Sequence, residues 1–516
     1  MQQIDKLCRE LQRIARKRFN FASYDRRRMF APHVVLELAP LGMFGLGVSK
    51  AQGGAQLSFV EMMVVEQQLA AIDVTLAAFL GIHNALGVHP INVHGTKVQK
   101  VALERYARGQ ALLGFALTEP SAGSDPTAIL TTAKPCGSDR WQLYGEKIWI
   151  GNAGWAQALL VICRVLTDNQ ERGEFAAFLV PTDREGIEIG SECETLGLRG
   201  IVQNKVTLCG VSVTSRDMLG QLGQGMEVAQ TAMQLGRLGI GAIGIGAMKR
   251  VLQLSLTFAQ HRRIGAKALI ERLSVRRLLG DCEAEIAFFE TILKLLARTM
   301  DKGHRLPDFF APALKIAVSE RAWKWADAAL QLSGGRGYDE ANHLARILRD
   351  VRILRIFEGP TEALQAYLGS TTLFAFRSIK DGIQAISETS KAGADAIREI
   401  EEKRTQALSW LKSAEGGMSR PYIEAVGLGL GQFVCWRLNS LLFVIAEAGE
   451  VPQSIKRLLA DSEMAWYDFV APVQEDYKDW EPSASERKLL DEIGGMKSLA
   501  TLEYMGEDTL LYPTEP

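Results

Sequence analysis

Residues 113–215 interrupt a chain of otherwise helical pattern with short β-rich runs, and this order of helix, strand and helix restricts the fold more than any other feature. Before the switch, Ile4, Leu7, Leu11 and Ile14 recur at helical spacing, as do the apolar positions of Val60 to Leu80 and Val98 to Arg108. Gly53-Gly54 and His89-Pro90 punctuate these runs. Within the β-rich stretch lie Ala158–Cys163, Ala176–Val180 and Val206–Leu208, separated by turn residues such as Pro135, Gly137-Ser138 and Gly145. Helices resume at Gln224–Ala232 and continue to about residue 370. Separate lobes are expected, not alternating βαβ units. The reading is a mainly α chain with one β domain: helices over 1–112, a small barrel or sandwich over 113–220, a helical bundle over 221–370 and a helical extension over 371–516.

Composition removes several alternatives. A formal net charge of −1, with 47 % apolar and 23 % charged residues, gives no global pull toward nucleic acid. Seven cysteines without Cys-x-x-Cys spacing fit free thiols in a reducing compartment. No apolar signal segment precedes residue 30, and Asp5, Glu10 and Asp25 argue against a transit peptide, so a cytoplasmic chain is expected ahead of a mitochondrial one. The apolar zone 425–446 is interrupted by Arg437 and loosened by Gly427, Gly429 and Gly431; it falls short of a membrane span and leaves peripheral membrane contact open. Its packing need exceeds its spanning capacity. Residues 388–410 are charged and helical in pattern, Gly416-Gly417 follows, and the tail 476–516 is more polar.

Some local patterns mislead and others carry chemistry. Gly239-Ile-Gly241-Ala-Ile-Gly244 matches a dinucleotide fingerprint, but helical residues precede it where a strand is required, so a glycine-rich helix face is expected. His83, His89 and His94 lack a partner pattern for a metal and are read as structural. The loop Phe-Ala-Leu-Thr-Glu-Pro-Ser-Ala-Gly-Ser-Asp at 115–125 is rich in turn residues and hydroxyls, and can present backbone N–H groups to an electron-rich ligand. Glu358, in Arg-Ile-Phe-Glu-Gly-Pro-Thr-Glu at 355–362, is a single carboxylate in front of a glycine.

Taken in order, these segments resemble the acyl-CoA dehydrogenases over roughly residues 1–370, and most closely their very-long-chain branch. The resemblance implies FAD bound by Phe115, Leu117, Thr118, Gly123 and Ser124, by Trp149 and Gly151 in Lys147-Ile-Trp149-Ile-Gly-Asn152, and by Thr361 and Glu362. It implies that Arg262, Gln331, Gly334 and Gly335 reach the FAD of a partner subunit. Substrate contacts fall to Ser124, Arg237, which opens a helix after Gly236, and Gly359; Glu358 is the base for the thioester α-proton. One branch of the family carries its glutamate just before the arginine, where this chain has Gly236.

Departures are visible too. Gly151 stands for a threonine or serine near the flavin, Pro360 removes a backbone donor, Arg-Arg-Ile-Gly after His261 is one residue short, and the segment after Arg199 lacks a hydroxyl. The leading expectation is FAD-dependent α,β-dehydrogenation of an acyl thioester, on CoA or a carrier protein, in a homodimer that passes electrons to an electron-transfer flavoprotein. Two alternatives are a flavin oxidase or monooxygenase, with oxygen admitted beside Gly151, and a non-enzymatic scaffold.

Overall fold

The computed structural model describes residues 2–166, 173–388, 390–413, 420–447 and 450–470. Helices α1 (Gln2–Arg18), α2 (Phe21–Arg27), α3 (His33–Leu38), α4 (Phe59–Ile72), α5 (Val74–Gly81), α6 (His89–His94) and α7 (Lys97–Ala107) form the first lobe. Ser58 starts α4 with a reciprocal capping box to Glu61. The apolar run from Val60 to Leu80 is two helices: Asp73 is extended (φ −161°) and its carboxylate caps Leu76 N–H at 3.0 Å. Nor does His89-Pro90 end a helix. A π-helical turn over Ile82–Val88 joins α5 to α6, and Pro90 sits in the first turn of α6, where its missing N–H is harmless.

The middle lobe is one seven-stranded sheet of β1 (Leu113–Ala116), β2 (Thr132–Pro135), β3 (Arg140–Gly151), β4 (Ala158–Val165), β5 (Glu174–Pro181), β6 (Ile187–Glu192) and β7 (Gln203–Thr214). The order is β1-β4-β2-β3-β7-β6, with β5 on the other edge of β4. Strand β4 is apolar without alternation because it is covered on both faces. Gly145 is not a turn residue: it lies inside β3 (φ +148°), where a β-carbon would meet Thr131 Oγ1 at 2.5 Å. A second irregularity in β3, between Lys147 and Ile150, bears on the site.

The helical bundle follows. It comprises α8 (Gly225–His261), the short hairpin β8 (Arg263–Ile264) and β9 (Lys267–Ala268), α9 (Leu273–Asp301), α10 (Phe310–Ser333), α11 (Gly335–Tyr338), α12 (His343–Val351) and α13 (Thr361–Phe374). The glycine repeat at 239–244 lies inside α8, and Gly244 admits Val318 of α10, since a β-carbon there would sit 2.5 Å from Val318 Cγ1. Gly236-Arg237 is also interior to α8 and does not open a helix.

The extension contains α14 (Phe376–Ser387), α15 (Lys391–Ser413), α16 (Arg420–Glu447) and α17 (Gln453–Val470). Glu388 (φ +45°) ends α14, so the charged helix of the extension begins at Lys391. Contrary to the sequence reading, Ile423–Ala446 does reach the length and hydropathy of a membrane span, as does Val74–His94; both are mainly buried in the protein. Helix α16 lies across α13 at glycines, with Gly427 against Gly369 and Gly431 against the Gln365 carbonyl, and Asn439 donates to Ala313 O of α10 at 2.9 Å. Arg437, the charge that interrupts the apolar zone, ion-pairs with Glu399 of α15 at 2.5 Å. Gly416-Gly417 and the polar tail 476–516 lie outside the described residues.

Candidate active site

Glu358 sits in the turn between a 3₁₀ turn, Arg352–Arg355, and α13. It is left-handed (φ +57°) and is followed by Gly359 (φ +101°). Such a conformation costs a residue with a β-carbon about 1–2 kcal/mol, so the surroundings must hold it. A β-carbon on Gly359 would also lie 2.8 Å from Leu364 Cδ2, so only glycine fits. Arg237 Nε donates to the Glu358 carbonyl (3.0 Å), and Lys315 Nζ, fully buried in α10, donates to the Gly359 carbonyl (2.6 Å). The reversed backbone turns the Glu358 carboxyl inward toward α8. A β-carbon on Gly236 would stand 3.3 Å from Glu358 Cδ and 3.0 Å from Leu86 Cδ2. Glu358 Oε2 is closed to solvent and has no hydrogen-bond partner among the described residues.

Burial pushes the Glu358 carboxyl above its ordinary range, while the Arg237 and Lys315 cations pull it back. The same desolvation lowers Arg237 and takes the Lys315 ammonium down to about 7 against the attraction of Glu358. A carboxyl raised by burial, kept free of competing donors and flanked by two cations is equipped to take up a proton.

The two loops expected to hold a cofactor come together around an ion pair that sequence reasoning missed. Lys147 Nζ, with no exposed surface, donates to Glu119 Oε1 (2.7 Å), Leu117 O (2.9 Å) and Ile162 O (2.7 Å). Glu119 in turn accepts from Leu130 and Thr131 N–H, which folds the 115–125 loop back on itself. Ile148 N–H donates to Thr118 O at 3.0 Å, tying that loop to β3. One residue on, the β3 bulge throws Trp149 outward: it is left-handed (φ +53°) and 53 % exposed. Phe115 and Thr118 are half-buried beside it, Leu117 is buried, and Gly123 and Ser124 are exposed; nothing lies within 4 Å of a β-carbon built on Gly123. Gly151 is not open space, because its β-carbon would be 2.7 Å from Ile82 Cδ1. Ile82 and Leu86, one turn apart on the π-helical segment, thus connect Gly151 to Gly236 and Glu358.

The remaining expected residues divide. Thr361 is buried with its hydroxyl given to Glu320 Oε1 (2.6 Å), an acid that also holds Arg355, while Glu362 is exposed. Arg262 lies at the far end of α8, about 37 Å along the axis from Arg237 at the usual rise per residue. There it lines a cleft of about 500 Å³ with Thr257, Phe258, His261, Arg263 and Arg336. Gln331, Gly334 (φ +59°) and Gly335 are exposed at the adjoining end of α10. Of the histidines, His83 accepts from Leu113 N–H at Nδ1 and donates to the Phe44 carbonyl, and His94 bonds Thr231 Oγ1. Lys315 did carry a sequence signal, as a lone cation inside the apolar run 309–318.

Comparison with known proteins supplies the context. Family models for the N-terminal, middle and C-terminal domains of acyl-CoA dehydrogenase match residues 2–110, 114–211 and 223–371. The chain belongs to the acyl-CoA dehydrogenase family. The mitochondrial very long-chain specific acyl-CoA dehydrogenase of Mus musculus is 33 % identical over 344 residues, covering 64 % of this chain and 51 % of that relative. The chain thus spans about half the length of the curated relatives it matches. Butyryl-CoA dehydrogenase from Megasphaera elsdenii superposes with a TM-score of 0.68 at 25 % identity, over 72 % of this chain and 98 % of that one. An acyl-CoA dehydrogenase from Bacillus anthracis complexed with FAD gives 0.74 at 19 % identity, over 96 % of this chain and 91 % of its own. That likeness in fold runs through the extension, which the three family models leave unmatched.

Proposed function

We propose that this protein dehydrogenates an acyl thioester between its α and β carbons, with FAD as cofactor and Glu358 as the base. The observation that carries the reading is the Glu358 carboxyl: turned inward by a left-handed backbone, closed to solvent, and without a partner at Oε2 among the described residues. Its ionised form takes the α-proton. Arg237 and Lys315 hold the two carbonyls that fix this turn and offset the charge of the carboxylate, while Leu86 helps to exclude water. The loss of the α-proton and of the β-hydrogen with its electron pair leaves the enoyl thioester. Bound FAD would supply the acceptor for that β-hydride.

The residues present fit such a cofactor. The exposed Trp149 offers an aromatic face, Thr118 and Ser124 offer hydroxyls, and the open side of Gly123 allows close backbone approach. Arg262 lies about 37 Å along α8 from Arg237, and Arg336 of the 331–337 run lines the same cleft, so these residues would serve the same group from a second copy. We therefore include a homodimer, re-oxidised by an electron-transfer flavoprotein, in the proposal. An oxidase reading placed oxygen access at Gly151; Ile82 occupies that space, which favours dehydrogenation.

The test is the absorption spectrum of the purified protein followed by anaerobic titration with acyl-CoAs of stepped length. Flavin absorbance that bleaches on addition of an acyl-CoA is expected. A colourless protein that binds no added FAD would contradict the reading, and peroxide release matching turnover in air would replace it with the oxidase.

A further inference from the structure

The dehydrogenation chemistry leaves one buried carboxyl unused. Glu66, on α4, is 4 % exposed and Oε1 is sealed from solvent; no described group gives it a hydrogen bond or an ion pair. The equally buried Glu285 differs: it receives Arg321 at 2.7 and 2.8 Å and Trp325 Nε1 at 2.7 Å. Beside Glu66 Oε1 there is room at Gly81: a β-carbon built there would lie 3.1 Å from Oε1 and within 4 Å of nothing else. On α8, a β-carbon built on Gly239 would meet nothing at all.

Both glycines lead back to Glu358. Gly81 immediately precedes Ile82, and about 7 Å of helix axis separates it from Leu86, which meets the Gly236 position that Glu358 also approaches. On α8, Gly239 lies one turn beyond Gly236, and two turns further Gly246 is closed by the backbone carbonyl of Gln67, the neighbour of Glu66. Gly81 and Gly239, both half-buried, thus leave room on the two segments that carry Leu86 and Gly236, and α4, which bears Glu66, packs on α8 at Gly246. Lys249, which reaches the neighbouring Gln67, is committed to it and to Glu290.

We propose that Glu66 determines specificity within the dehydrogenase reading above, selecting acyl thioesters whose chain carries a hydroxyl, or an equivalent neutral hydrogen-bonding group, where it passes α4. Burial alone raises the Glu66 carboxyl to about 8, so at neutral pH it is protonated and offers both a donor and an acceptor. A plain alkyl chain leaves both unpaired, whereas a hydroxyl satisfies both. Sites built to bond a substrate hydroxyl discriminate strongly against the analogue that lacks it.

The experiment uses full-length, flavin-loaded protein and anaerobic flavin bleaching. The probes are straight-chain acyl-CoAs and the same chains with one hydroxyl stepped along the distal half. One hydroxylated chain should exceed its parent in kcat/KM by at least ~10-fold. Glu66→Gln should keep part of that preference. Glu66→Leu should abolish it while oxidising the plain chain at least as well, and Glu66→Met repeats the apolar replacement should the leucine variant not hold flavin. A ratio near one across the panel, or a preference unchanged in the apolar variant, overturns the role of Glu66 alone. Failure of every acyl-CoA to bleach the flavin overturns the dehydrogenase reading and the inference with it.

Discussion

At the scale of single residues, the site is defined by what its carboxyls lack. Glu358 and Glu66 both have an oxygen closed to solvent and unpaired among the described residues, and both are raised by burial. For Glu66 this has a consequence for stability. Burial pushes its carboxyl up to about 8 in the folded chain, against 4.5 for an exposed glutamate, so between those values the native state holds a proton that the unfolded state releases. Stability therefore falls as pH rises across that window, by up to ~1.4 kcal/mol per unit. Glu66→Leu removes this slope, so its gain in Tm over the wild type should grow from pH 5 to pH 8; a gain independent of pH contradicts the assignment. Glu358 has a second testable feature. The β-carbon position of Gly236 is 3.3 Å from its carboxyl carbon, so two elements converge on one point. In a Glu358→Gly background, Gly236→Glu should restore part of the flavin bleaching once Leu86 gives way, and a double variant as inactive as Glu358→Gly would refute that convergence. Glu358 was legible in the sequence because the residues around it form a recognisable run. The inward aim of its carboxyl was not, since that comes from backbone dihedrals and from Arg237 and Lys315, which are remote in sequence.

At the scale of elements, the helix–strand–helix order was legible because the hydrophobic period changes at residue 113 and again near 224. Local chemistry hid the breaks within the helical stretches. Asp73 divides one apolar run by capping its second half, and the π-helical turn at Ile82–Val88 leaves no trace in helical periodicity. That turn matters, since it carries Ile82 to Gly151 and Leu86 to Gly236. Gly151→Thr should therefore destabilise the protein by about 1–3 kcal/mol through overpacking. Pairing it with Ile82→Ala should recover most of that loss in a double-mutant cycle read by thermal unfolding. Strictly additive effects of the two changes would show that Ile82 does not fill the Gly151 site. The bulge that exposes Trp149 was equally hidden, because a tryptophan in a β-rich run reads as an ordinary half-buried strand residue.

At the scale of the whole molecule, the extension is an integral layer. Helix α16 clamps α13 through Gly369, Gly427 and Gly431, and α13 begins directly after the Glu358 turn. Helix α16 is apolar because it is a core helix, which composition alone does not separate from a membrane span. The full chain should sediment as a flavin-loaded homodimer, and truncation after residue 370 should expose the face of α13 and drive further association or aggregation. A flavin-loaded monomer would contradict the sharing of Arg262 between copies. The central claim is most directly met by stopped-flow mixing of anaerobic, flavin-loaded Glu358→Gln with an acyl-CoA that bleaches the wild type. The variant should keep its flavin and bind the thioester, and its bleaching should slow by at least ~10²–10⁴-fold, the range for loss of a general base. Bleaching at near the wild-type rate would show that Glu358 does not take the proton.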